Sequence, residues 1–145
     1  MRLKLFVALF SGLLFACAGR TTGIPLTLPE STTKALFYVE HQPEDGRHLE
    51  SVIVEVLVER GFLALTAKFQ RIPADADFLV TYVDRWQWDM RMYLLDLRIE
   101  VRDPVSRQLI AYGQSYQSSL KAMGWSHKDV IELAISQLLG RDGLR

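Results

Sequence analysis

The chain has 145 residues, 17 Lys+Arg against 17 Asp+Glu, and one cysteine, Cys17. A formally neutral chain with no basic stripe argues against a nucleic-acid binder, and a lone thiol excludes an internal disulfide framework. The length suits one domain with a core of its own.

Arg2 and Lys4 make a basic start, Leu5 to Phe15 is apolar except for Ser11 and Gly12, and small residues flank Cys17. That run is shorter than the roughly 20 apolar residues needed to cross a bilayer, so residues 1–16 read as an export signal. Leu14-Phe15-Ala16-Cys17 resembles the lipobox of bacterial lipoproteins, with Phe15 bulkier than that family's usual residue. The resemblance implies cleavage before Cys17, a diacylglyceryl thioether on its sulfur and an acyl group, such as palmitate, on its new amino terminus. Ala18, where Asp would retain the protein at the inner membrane, implies the periplasmic face of the outer membrane. Two or more buried chains give stable anchoring where one does not. A lipidated Cys17 leaves the mature chain, 17–145, without a thiol for catalysis, metal binding or a disulfide. Loss of Arg2 and Lys4 with the signal leaves 15 basic against 17 acidic residues, a formal charge of −2.

Residues 17–33 follow as the lipidated cysteine and a tether: Arg20 to Thr33 is rich in Thr, Pro and Gly and has no sustained period. A single α+β domain over 34–145 is expected next. Ala35 to Glu40 is a short β-prone apolar run, and His41 to Gly46 breaks it. Asp45 or a neighbour then caps a helix from about Arg47 to Arg60, in which Leu49, Val52, Ile53, Val56 and Leu57 form one stripe. Gly61 stops it, with Phe62 placed for the accompanying apolar contact. Phe62 to Ala67 reads as a possible short strand and Pro73 to Asp77 as a loop. Three antiparallel strands follow: Phe78 to about Trp86, Met90 to Val101, and Gln108 to Ser118. Tyr93, Leu95, Leu97, Ile99 and Val101 alternate with Leu94, Asp96, Arg98, Glu100 and Arg102, the pattern of a strand with one face inward. Ser126, with Asp129 three residues on, opens a last helix in the manner of a capping box, and Gly140 ends it. The order β-α-(β)-β-β-β-α gives a mostly antiparallel sheet of four to five strands with both helices on one face.

Tyr82 to Tyr93 holds two of the three tryptophans and two of the five tyrosines. An extended segment would point Tyr82, Asp84, Trp86 and Trp88 to one side, and Arg85, Gln87 and Asp89 to the other. Indole faces and carboxylates in that arrangement suit a glycan or peptide; the same residues serve equally as hairpin packing. A one-residue slip in register exchanges the two faces. The string Tyr82-x-Asp84-x-Trp86-x-Trp88-Asp89 resembles a family of small proteobacterial lipoproteins of unknown function. That resemblance extends through Arg102-Asp103-Pro104 and Ser118-Ser119-Leu120 and carries no catalytic residues with it. More loosely, the topology resembles α+β domains of other envelope lipoproteins, an analogy of fold alone.

The chemistry expected is non-catalytic: an envelope binding or assembly module with a protein partner, without cofactor or metal. Asp84, Asp89 and Asp96 are carboxylates of the kind that glycosidases set about 5–10 Å apart, so the alternative is a receptor or hydrolase for peptidoglycan-like polymers, binding through Tyr82, Asp84, Trp86, Trp88 and Asp89. His41, His48 and His127 match no metal-binding spacing and read as loop and helix-start residues. No Gly-x-Ser-x-Gly elbow occurs.

Overall fold

The computed structural model describes residues 20–28, 35–67, 71–118 and 124–140. The segment read as a signal, Cys17 and the distal part of the expected tether (29–33) lie outside the described residues. Among those described, the chain order is β1 (Arg20–Ile24), β2 (Leu36–Val39), α1 (Leu49–Glu59), β3 (Leu63–Thr66), β4 (Phe78–Asp89), β5 (Arg91–Arg102), β6 (Leu109–Tyr116) and α2 (His127–Leu139). The strands form one six-stranded sheet ordered β1-β6-β5-β4-β2-β3.

Two expectations about the sheet are corrected. It has six strands rather than four to five, and it is mixed, with an antiparallel majority and a parallel part around β2. The ladder from β4 through β5 and β6 to β1 is antiparallel, whereas β2 runs parallel to both β3 and β4. Helix α1 is the crossover that lets β2 and β3 run the same way. Second, the first part of the supposed tether is β1, paired residue by residue from Arg20↔Tyr116 to Ile24↔Tyr112. The chain after it is also held: the Leu26 amide donates to the Leu138 carbonyl at 2.7 Å, and the Leu26 side chain is buried.

The helices bury their stripes against the same sheet face. Leu49, Ile53, Val56 and Leu57 of α1 join Val130, Ile131, Ala134, Ile135 and Leu138 of α2 over Phe37, Val39, Val80, Leu97, Ile99, Val101 and Ala111. Tyr38, Ala76 and Leu79 make a smaller cluster on the other side of β2 and β4. Elsewhere that side is polar: Glu100 is paired with both Arg98 and Arg102, and Asp96 with Arg85 at 3.7 Å.

The alternation expected in β5 holds from Asp96 to Arg102 and breaks at a bulge. Arg85 faces Asp96 but the next residue, Trp86, faces Leu94, so Leu95 is the additional residue on β5. An extra residue reverses the side-chain parity beyond it. Leu94, not Tyr93, therefore joins the main core.

The helix ends follow the residues that predict them. Asp45 accepts from the Leu49 amide at 2.7 Å and the Arg47 amide at 2.8 Å, while His48 holds the N-cap position at φ 56. At the start of α2 the Ser126 hydroxyl accepts from the Asp129 amide, and Asp129 accepts from the Ser126 amide at 2.7 Å. Gly61 (φ 88) and Gly140 (φ 73) occupy the left-handed or related backbone that glycine allows.

Close packing of α2 requires one residue above all. A Cβ at Gly113 on β6 would lie 1.9 Å from the Ala134 carbonyl oxygen and 2.6 Å from the Leu138 nitrogen. Its neighbour across the ladder is Gly23 of β1, where a Cβ would meet the Tyr112 carbonyl at 2.6 Å. Backbone atoms cannot turn aside as side chains do. Gly113→Ala is thus expected to cost roughly 3 kcal/mol or more, at the top of the range for overpacking, read as a lower midpoint in urea denaturation. An unchanged midpoint would show that α2 has room to move off the sheet.

Candidate functional site

The stem and tip of the β4–β5 hairpin, with the starts of both helices, gather most of the chemically distinctive side chains. Tyr82 lies on the helix-facing side of β4, only 2% exposed. Its hydroxyl donates toward Asp45 Oδ2 at 2.9 Å and lies 3.2 Å from Glu50 Oε2. Glu50, 4% exposed in the first turn of α1, also has His41 Nδ1 at 3.0 Å and His48 Nδ1 at 3.3 Å from its other oxygen. Gln42 donates to the Tyr82 carbonyl, closing the loop over the strand. Two histidines that sequence reading assigned to the loop and helix start therefore converge on one buried carboxylate.

Charge in this cluster follows from who donates. Burial pushes the Glu50 carboxyl up, but hydrogen bonds from His41, its own amide, His48 and Tyr82 outweigh that and hold it below the usual carboxylate range. Burial likewise raises Asp45, and the Arg47 and Leu49 amides, Tyr82 and His48 bring it below its ordinary value. Burial first, then Asp45 and Glu50, push the Tyr82 phenol far above its usual range, so it remains a neutral donor. Carboxyls with depressed folded values stabilise the fold above their unfolded value, about pH 4, and that contribution is lost as the pH falls through the folded values. Glu50→Gln is expected to destabilise the domain at pH 7 by about 1–3 kcal/mol. It should also flatten the fall in stability below about pH 4, measured by urea denaturation across pH. Parallel curves for variant and wild type would show that this carboxyl does not couple to folding.

Trp86 lies four residues further along β4 than Tyr82, on the same side. Its indole N–H donates to Asp84, the Arg47 guanidinium stands 4.0 Å over its ring, and the His127 ring meets it edge-on at 4.8 Å and 87°. Partial burial, then the Arg47 charge, lower the His127 pKa, with Asp45 opposing them. Arg47→Ala should accordingly raise the His127 pKa toward about 6.5, followed through its imidazole proton shifts in NMR. An unmoved titration would remove Arg47 as a cause.

The hairpin tip differs in kind. Trp88 is 66% exposed and Met90 91%, with Met92 also exposed. Met90 turns the hairpin at φ 57, a left-handed conformation in which a methionine is strained. Beside the tip, a cleft of about 290 Å³ is lined by Arg91, Met92, Tyr93, Trp125, Ser126 and His127. The buried Tyr93 hydroxyl there has no hydrogen-bond partner among the described residues. A second cleft of about 430 Å³ is lined by Trp125, by α2 residues from Asp129 to Ser136 and by Arg60, which donates to Ser136 at 3.1 Å.

The structure thus divides the five binding residues expected from sequence. Tyr82, Asp84, Trp86 and Trp88 do share one side of β4, but not one open surface. Tyr82 is buried on α1, Asp84 and Trp86 are closed on each other, and only Trp88 and Asp89 reach solvent freely. Asp96 pairs with Arg85 and accepts from Gln114, on the opposite sheet face. Sequence reasoning passed over Arg47, Trp125, Met90 and Met92. An exposed methionine at a hairpin turn, where glycine or asparagine is usual, is the signal that was available.

Neither a protein-family model nor a curated protein matches the chain. Solved structures do. The PelC dodecamer from Paraburkholderia phytofirmans has a TM-score of 0.58 at 14% identity, covering 86% of this chain and 100% of that one. A leucine-to-methionine variant of that dodecamer gives 0.59 at 15%, covering 86% and 99%. TolB from Acinetobacter baumannii has a TM-score of 0.43 at 14% identity, covering 86% of this chain and 32% of TolB. A minor lipoprotein from the same organism has 0.32 at 15%, covering 66% and 83%. At these identities the likeness to PelC is one of fold.

Proposed function

We propose that this chain is a lipid-anchored module of the bacterial cell envelope that works by binding and assembly rather than catalysis. It is exported, held through Cys17 on the periplasmic face of the outer membrane, and built into an assembly of several subunits. The observation that supports this reading most is the likeness in fold, over nearly all of both chains, to a protein whose structure is a dodecamer. Among the described residues the sheet also keeps two open edges, β1 and β3, and every residue of β1 is exposed. Unpaired strand edges are sites at which further chains add. Asp45 and Glu50, the carboxyls most closely engaged with histidine, are held below the ordinary range. A general acid needs the opposite shift.

The full chain, produced in a Gram-negative host and extracted in mild detergent, should appear in native mass spectrometry as a multi-copy assembly. Each subunit should lack residues 1–16 and carry a diacylglyceryl and an acyl group. Cys17→Ser should remove the lipid mass and the processing together. A lone monomer with no bound protein would overturn the assembly reading, and a wild-type chain without lipid would overturn the anchor.

A further inference from the structure

The register of the sheet relates the lipid anchor to the hairpin tip. Arg20 pairs with Tyr116, Tyr116 with Asp96, and Asp96 with Arg85, one row across four strands. From that row β1 runs inward, to Ile24 opposite Tyr112, while β4 continues outward past Arg85 to Asp89. At about 3.3 Å per residue, the turn at Met90 stands roughly 16 Å beyond the row. In the sequence only Ala18 and Gly19 separate Cys17 from Arg20. Three residue steps reach at most about 11 Å. Chain connectivity alone would therefore keep a lipid on Cys17 within that reach of Arg20, the end of β1 that lies toward the hairpin.

What projects there sets exposed apolar and aromatic side chains among the polar Gln87, Asp89 and Arg91. Trp88, Met90 and Met92 are all exposed, Trp125 is exposed beside them, and Arg85 and Arg91 flank the strands. Met90 keeps a long apolar side chain at a backbone position that disfavours it. Beneath this tip the stem is braced by Trp86 against Arg47 and His127 and by Tyr82 against Asp45 and Glu50, so the exposed residues sit on a supported base. Tryptophan at a bilayer surface places its ring among the acyl chains and its N–H among the headgroups.

We propose that the tip formed by Trp88, Met90 and Met92 is a second membrane contact, inserting into the headgroup–acyl boundary of the leaflet that holds the Cys17 lipid. Arg91 lies at headgroup level. The proposal rests on the lipid-anchor reading above. Lipid at Cys17 and the tip together are two attachments of one rigid body, which fixes the face that the domain turns to the bilayer.

The test uses the lipidated full chain in phosphatidylethanolamine–phosphatidylglycerol vesicles, with and without acyl chains brominated near the headgroup. Tryptophan emission of the wild type is expected to lose intensity in the brominated vesicles. Trp88→Phe, at an exposed site outside the core, should abolish most of that loss, whereas Trp86→Phe should retain it. Protein that floats with the vesicles while Trp88 remains unquenched would overturn the contact. Trp88 emission shifted to the blue but untouched by brominated lipid would report burial against a second copy or another protein, and would also overturn it. A chain that fails to float at all would overturn the Cys17 anchor itself, and with it this inference.

Discussion

Helix α2 lies with its backbone against that of β6 at Gly113, and much of the domain is arranged by that approach. With no side chain between them, the helix sinks far enough for Val130, Ile131, Ala134, Ile135 and Leu138 to be buried together. Its far end then presents the Leu138 carbonyl to Leu26, which holds the segment after β1. Its near end places Ser126 and His127 beside the hairpin, so that the ring of His127 meets Trp86. Gly23, across from Gly113, extends the same shallow seat onto β1.

A second constraint ties the other helix to β4. Tyr82 reaches from β4 into the first turn of α1, where Asp45 and Glu50 accept its proton between them and the two histidines complete the remaining oxygen of Glu50. A buried carboxylate is tolerated only with such a full set of donors. Both helix starts are thereby fixed to β4 on either side of Trp86. The hairpin is firm at its root and open at its end.

Where residues act through local chemistry, the fold was legible. The stripe of α1, the Ser126–Asp129 box, the strand of Asp96 to Arg102 and the stops at Gly61 and Gly140 follow from periodicity and capping. Arg20 to Ile24 reads as spacer because an edge strand with all residues exposed shows no alternation, and its glycine looks like linker chemistry. Its actual reason, the nearby Tyr112 carbonyl, belongs to a strand far along the chain. The bulge at Leu95 was equally hidden, since the alternation before and after it is locally regular and only the partner strand shows the slip. The grouping of Tyr82, Asp84, Trp86 and Trp88 on one side was correct in parity. Parity along a strand does not reveal what covers it, and Arg47, His127, Asp45 and Glu50 all come from other elements.

The pairing of β1 also has a consequence for the order in which the domain forms. β2, α1 and β3, and likewise the two hairpins of β4, β5 and β6, close over short stretches of chain, whereas β1 must meet a strand near the opposite end of the sequence. Long closures carry the larger entropic cost, and β1 returns no buried side chain for it. It is therefore the strand expected to add last. On the proposed anchoring, a newly exported chain would complete its core while its lipid end still ranged freely, and the last zipping step would draw the finished domain down onto the membrane.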